Sequence, residues 1–293
     1  MKDYKGKVCG ITGAASGIGK AFALYAAEQG MRLALIDIEG DRLEDVKREC
    51  EDLGSPKVVA IPTDVSEYEQ VRMSVKRIMA EFGHIDVFFS NAGVGGAGTL
   101  GNIPPQDWDW ITSVNFLGMA YYVTEVLPIM KEQGTEAHFL FTVSIGGLQP
   151  GMRIQSAYTA SKHAALSLAE SVRDYADNFA LTSASPPSAL NTSTLRFGTE
   201  KRRPERLKAY DPFYATADYN EYRANFEKRI KSGLNPRFVG PRLFRAMEDN
   251  QLYVHPHLHT HQMLRDRFAR IEADLRKDEE LDAEFKALEG YDD

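Results

Sequence analysis

Thr12-Gly13-Ala14-Ala15-Ser16-Gly17-Ile18-Gly19 decides how this chain is read. The stretch follows the apolar run Val8-Cys9-Gly10-Ile11, which has the character of a core strand, and it opens a helix near Gly17. Where a strand hands over to a helix in this way, the chain must turn tightly and its backbone must approach a ligand closely. Gly13, Gly17 and Gly19 meet those demands, and with Ser16 and Ile18 they lie at a helix amino terminus, where free N–H groups attract phosphate. Glycines also mark ordinary loops, so it is the strand–turn–helix context that turns this one into a diphosphate cradle.

The next informative residue outward is Asp37, which closes a second apolar run 18 residues after Gly19. A carboxylate at that strand end can accept hydrogen bonds from both hydroxyls of an adenosine ribose, and it repels a 2′-phosphate. Ile38 and Glu39 follow it, and Ala15-Ser16 brings no cation into the turn. The cofactor expected on these grounds is NAD. The plainer alternative for Asp37 is a solvated acid at the end of a strand.

Short apolar runs alternate with amphipathic stretches over the first two-thirds of the 293 residues. Strands are expected at 7–12, 32–37, 58–62, 85–90, 138–144 and 181–185, with helices beginning near 17, 41, 67, 106 and 158. A further strand at 251–255 follows a helix at 240–250. This order predicts repeated βαβ units and an α/β fold, a doubly wound parallel sheet of Rossmann-like form, in a single domain over 1–293. Two segments fall outside the repeat. The stretch 201–232 is dense in charge and aromatics (Tyr210, Phe213, Tyr214, Tyr219, Tyr222, Phe226) and reads either as a solvated helical insertion or as a lid over a substrate pocket. The tail, 260–293, repeats Leu264, Phe268, Ile271, Leu275, Leu281, Phe285 and Leu288 at helical steps, so it forms a helical extension whose apolar stripe packs on its own domain or on a sister subunit.

Composition excludes several classes. With 43% hydrophobic and 26% charged residues the chain can bury a core and stay soluble. A formal charge of −7 argues against a nucleic-acid partner, whose phosphates are bound by basic faces. No apolar run approaches 18 residues and the first residues show no signal region, so neither membrane nor export is expected. Two cysteines are too few for a disulfide framework, and the expected location is the cytoplasm. The alternating His255, His257, His259 and His261 lack cysteines or a clear carboxylate cluster beside them, so no metal site is expected there.

Further motifs extend the pattern: Asp64-Val65, Asn91-Ala92-Gly93, Val114-Asn115-Phe116-Leu117-Gly118, Ser144, and Tyr158-Thr159-Ala160-Ser161-Lys162. With the glycine turn, in this order and spacing over about residues 7–192, they resemble the short-chain dehydrogenase/reductase family. The resemblance implies a sheet ordered 3-2-1-4-5-6-7 and a homodimer or homotetramer. It implies cofactor contacts from Asp64, Val65, Asn91, Ala92, Gly93, Tyr158 and Lys162, and a catalytic group of Asn115, Ser144, Tyr158 and Lys162. Pro186, Leu190 and Thr192 are implied near the nicotinamide, although Pro187 stands where the family usually carries glycine. Proline fixes φ and removes an N–H, so the backbone path there differs from the usual one.

The chemistry matches these residue types. Hydride moves to or from a carbinol carbon while a proton moves at its oxygen, and a tyrosine near its ordinary pKa of about 10 is a poor base at neutral pH. A lysine four residues on shares the helical face, and its ammonium favours the phenolate. Tyr158 is therefore the expected acid/base, with Ser144 on the substrate oxygen and Asn115 positioning a relay water. The reaction expected is interconversion of a secondary alcohol and its ketone. Arg203-Pro204-Glu205-Arg206, Asp249-Asn250-Gln251-Leu252-Tyr253-Val254 and Trp108-Asp109-Trp110 resemble a longer-tailed subgroup that includes Cα-dehydrogenases of lignin-derived aryl ethers, which implies a bulky, apolar or benzylic substrate. A hydroxysteroid, a sugar derivative, an acyl ketone, or a silent NAD-binding regulator are the alternatives.

Overall fold

The computed structural model describes residues 1–96, 100–101, 103–148, 155–175, 234–254 and 259–286, together with 216–217, 220–221, 224–225 and 228. Five strands, β1 (Val8–Thr12), β2 (Arg32–Asp37), β3 (Val58–Pro62), β4 (Val87–Ser90) and β5 (His138–Phe141), pair in parallel in the order β3-β2-β1-β4-β5. The order reverses at β1, where the chain first runs outward to β3 and then returns to β4 on the other side. This is the topological switch point at which ligands of such sheets bind, beyond the carboxyl ends of the strands.

Helices α1 (Gly17–Glu28), α2 (Gly40–Asp52), α3 (Tyr68–Phe82), α4 (Pro105–Thr112), α5 (Gly118–Gln133), α6 (Ser156–Tyr175) and α7 (Val239–Glu248) cover the two faces. The strands serve both at once because successive side chains point to opposite sides. Leu33, Leu35, Cys9, Ile11, Phe89 and Leu140 pack with Phe22 of α1, Val46 of α2 and Phe244 of α7. Ala34, Ile36, Phe88, Phe139 and Phe141 pack with Val75 of α3, Tyr122 of α5 and Ala165 of α6. Each fully buried aromatic of these layers contributes about 2–3 kcal/mol of apolar transfer. Tyr4, Tyr25 and Phe22 converge on Phe244 with ring centroids 4.4, 4.9 and 5.5 Å away, which fastens α7 to the amino-terminal layer.

Differences from the sequence reading are local. The strand expected at 138–144 ends at Phe141, because Ser144 adopts a left-handed backbone (φ 73°, ψ 155°) that no strand can continue through. Residues 251–254, expected to begin a seventh strand, carry no strand pairing: Gln251 N bonds to Ala246 O at the end of α7. The strand expected at 181–185, most of the insertion at 201–232, and His255 and His257 lie outside the described residues; the described positions 217, 220, 221, 224, 225 and 228 are helical and exposed. The tail forms one helix, α8 (His259–Phe285). Among the described residues no helix is long and apolar enough to cross a membrane.

Candidate active site

The glycine turn closes on the loop that follows β4. Gly13 has φ +67°, and a Cβ there would meet Ala92 Cα and Asn91 Nδ2 at 2.9 Å each. A Cβ at Gly19 would stand 2.2 Å from the Gly13 carbonyl oxygen, so any side chain would force the turn open. Ser16 is the residue before α1; it is buried, yet its hydroxyl makes no capping bond and, among the described residues, Oγ has no hydrogen-bond partner. Buried polar groups are normally paired, and this one lies beside the unpaired N–H groups and positive dipole end of α1. A diphosphate oxygen is the acceptor that such a donor set fits.

Asp37 stands at the end of β2 beside this turn. Its Oδ2 accepts from Ala15 N (3.0 Å) and its Oδ1 from Glu39 N (3.1 Å), so the carboxylate is fixed in place and also braces the turn. Ile38 projects into solvent next to it. At the end of β3, Asp64 Oδ1 accepts from Ser66 N (2.9 Å) and Ser66 Oγ (2.7 Å), while Val65 is buried against Gly118 at the start of α5.

Asn91 ties three strand ends together. Its backbone N donates to Thr12 Oγ1 (2.8 Å), its Nδ2 donates to Thr12 O (2.9 Å), and its Oδ1 accepts from Thr142 Oγ1 (2.9 Å). Thr142 O in turn accepts from Lys162 Nζ at 2.7 Å. A Cβ built on Gly93 would lie 3.5 Å from Lys162 Nζ and 3.2 Å from Asn115 Oδ1. The cofactor loop and the Tyr-Lys helix therefore share one cleft.

Asn115 is placed there by an irregularity: residues Ser113–Leu117, between α4 and α5, form a single π-helical turn. Such turns recur at functional sites because they re-aim side chains. The amide of Asn115, fully buried, is entirely engaged: Oδ1 accepts from Val94 N (2.7 Å), and Nδ2 donates to Val94 O (2.9 Å) and Ser161 Oγ (3.1 Å). The side chain clamps the loop after β4 to α6.

Tyr158 faces Ser144. Burial pushes the phenol above its ordinary value, and a hydrogen bond with the Ser144 hydroxyl works the other way. Ser144 Oγ also accepts from Gly146 N at 3.2 Å. Burial pushes the Lys162 ammonium down to about 7. Its Nζ stands over the Tyr158 ring, 5.9 Å from its centre. For Tyr158, burial of the phenol is a larger influence than the hydrogen bond with Ser144.

The structure thus gathers Gly13, Ser16, Gly17, Ile18, Gly19, Asp37, Asn91, Ala92, Gly93, Asn115, Ser144, Tyr158 and Lys162 around the carboxyl ends of the strands. Pro186, Pro187, Leu190 and Thr192 lie outside the described residues. Sequence reasoning missed Thr12, Thr142 and Ser161, which fasten Asn91, Lys162 and Asn115. Their signal was present but faint: each is a hydroxyl residue within three positions of a motif residue, and Thr12 closes β1 while Thr142 directly follows β5, where α/β sites form.

Comparison with known proteins agrees with this geometry. A family model described as short chain dehydrogenase matches residues 7–194. A CLA biosynthesis dehydrogenase/reductase of Lactiplantibacillus plantarum is 32% identical over 283 residues, covering 94% of this chain and 96% of its own. A C alpha-dehydrogenase of a Sphingobium species is 27% identical over 276 residues, 92% of this chain and 87% of its own. Among solved structures, a short chain dehydrogenase/reductase from Burkholderia phymatum in complex with NAD is 31% identical with a TM-score of 0.86, covering 94% of this chain and 97% of its own.

Proposed function

The chain belongs to the short-chain dehydrogenase family, and we propose that it is an NAD-dependent enzyme interconverting a bulky, apolar or aromatic secondary alcohol and its ketone. The observation that carries this reading is the cleft in which Lys162 Nζ, Asn115 and the Gly93 backbone meet, one loop away from the glycine turn. NAD fits the turn through the orphaned Ser16 hydroxyl and the α1 amino terminus, and Asp37 disfavours a 2′-phosphate.

When bound, the nicotinamide supplies the hydride acceptor or donor. The residues of this chain handle the proton and the geometry. Tyr158 is the general acid/base. Its raised pKa keeps the phenol protonated at neutral pH, ready to donate to a ketone oxygen; alcohol oxidation requires the phenolate and gains from rising pH. Ser144 shares a hydrogen bond with the phenol and is placed to hold the substrate oxygen. Lys162 is placed to hold the nicotinamide ribose, and its charge beside the phenol is greatest below about pH 7. Asn115 acts as a positioning residue, holding the Gly93–Val94 backbone against α6.

Substrate choice is supported by two features. The Sphingobium relative carries the name C alpha-dehydrogenase. The aromatic-rich stretch 201–232 suits a lid over an apolar pocket. Turnover with NAD is compared for a benzylic aryl-ether alcohol, a hydroxysteroid and a small polyol. Preference for the benzylic alcohol is expected; preference for the polyol, or NADH binding with no turnover of any, overturns the reading.

A further inference from the structure

Helix α8 is an arm. Its 27 residues span about 40 Å, and among the described residues its hydrogen bonds to the body come from Arg267, in its first third. Arg267 Nη1 donates to the Leu148 carbonyl and lies 3.2 Å from His163 Nε2, and beyond it every residue from Phe268 to Leu281 is exposed. Phe268, Ile271 and Leu275 are 60%, 46% and 52% exposed. With Leu264 they step by four, three and four residues, the narrow seam of a coiled coil rather than the broad stripe of a helix laid on its own core. In proteins most helical stability comes from packing of an amphipathic face, and here that face is exposed.

Its charges are divided along its length. Through Ile271 there are three arginines (Arg265, Arg267, Arg270) against Asp266; from Glu272 to Lys286 there are seven acids against three bases. A basic half followed by an acidic half complements itself when a second copy is reversed. We propose that α8 pairs two copies of this chain as an antiparallel coiled coil, its two-fold axis between Phe268 and Ile271. In that register Leu264 meets Leu275 of the second copy, Phe268 meets its Ile271, and Arg265 faces its Glu272. Glu272 now bonds Arg276 of the same helix at 3.3 Å, an exposed pair that contributes little and re-pairs readily. The contact is isologous, so it closes at two copies. The acidic half repels an anionic lipid surface, which disfavours the membrane as occupant.

The test is sedimentation equilibrium on the full chain, with NADH binding and far-ultraviolet dichroism as fold controls. Ile271→Lys with Leu275→Lys should halve the assembled mass, tetramer to dimer or dimer to monomer. Arg265→Glu and Glu272→Arg should each weaken that step about 5-fold, and the double reversal should restore it. An unchanged mass in the lysine variant overturns the pairing, and failure of the double reversal to rescue overturns the register. Binding of the wild-type chain to phosphatidylcholine–phosphatidylserine vesicles, lost in the lysine variant at constant mass, assigns the seam to a membrane instead.

Discussion

Replacing Lys162 by Met separates stability from function in a way that can be worked out from the site. Lys162 is fully buried, its Nζ is bonded to Thr142 O at 2.7 Å, and burial lowers its pKa from 10.5 to about 7. Below pH 7 the lysine is charged in both the folded and unfolded chains, so the folded state carries the whole desolvation penalty. Between pH 7 and 10.5 the unfolded lysine holds the proton that the folded one has released, so stability rises with pH across that window. At about 1.4 kcal/mol per pH decade the ceiling is about 5 kcal/mol, from which loss of the Thr142 bond subtracts about 1 kcal/mol. Methionine fills a similar volume without the charge. Lys162→Met should therefore unfold at higher urea than wild type near pH 6.5, by a few kcal/mol, and lose that advantage as the pH approaches about 10. All other titrations cancel in the difference between the two proteins. A gap that does not change with pH, or a variant weaker than wild type near pH 6.5, refutes the reasoning.

Other substitutions probe the remaining parts. Ser16→Ala removes a hydroxyl with no partner among the described residues, so thermal stability should hold or rise while NADH affinity falls about 5-fold; equal affinity by fluorescence titration would remove Ser16 from the phosphate site. Asp37→Asn keeps an acceptor for Ala15 N but removes the charge, so turnover should shift from NAD toward NADP; an unchanged cofactor ratio contradicts the ribose assignment. Ser144 sits at φ 73°, ψ 155°, a region nearly reserved for glycine that costs a serine about 1–3 kcal/mol. Ser144→Gly should be more stable than Ser144→Ala by about 1 kcal/mol, both without useful turnover, and identical melting temperatures would show that no strain is stored there.

Patterns carried by neighbouring residues could be read before any fold was known. The glycine turn, β2 and β3 to the residue, and the burial of Cys9 follow from local periodicity and from what a phosphate demands of backbone. Contacts that depend on distant partners could not. That Asn115 is held in a π-helical turn and fully engaged by Val94 and Ser161 depends on how α5 and α6 approach β4. Burial of both Tyr158 and Lys162, which favours the neutral form of each, is not revealed by their spacing. The stripe Leu264–Phe268–Ile271–Leu275 was visible as periodicity, but periodicity fixes only which residues share a face. That the face looks away from the body follows from the anchoring of α8 at Arg267.

The proposed role of Tyr158, transferring a proton beside a bound dinucleotide, is tested most directly by Tyr158→Phe. Single-turnover absorbance at the nicotinamide band, with NAD and the best alcohol of the panel, should show hydride transfer slowed at least about 100-fold while NADH binds within a few-fold of wild type. Hydride transfer at the wild-type rate in that variant would contradict the account and move the acid/base to another residue.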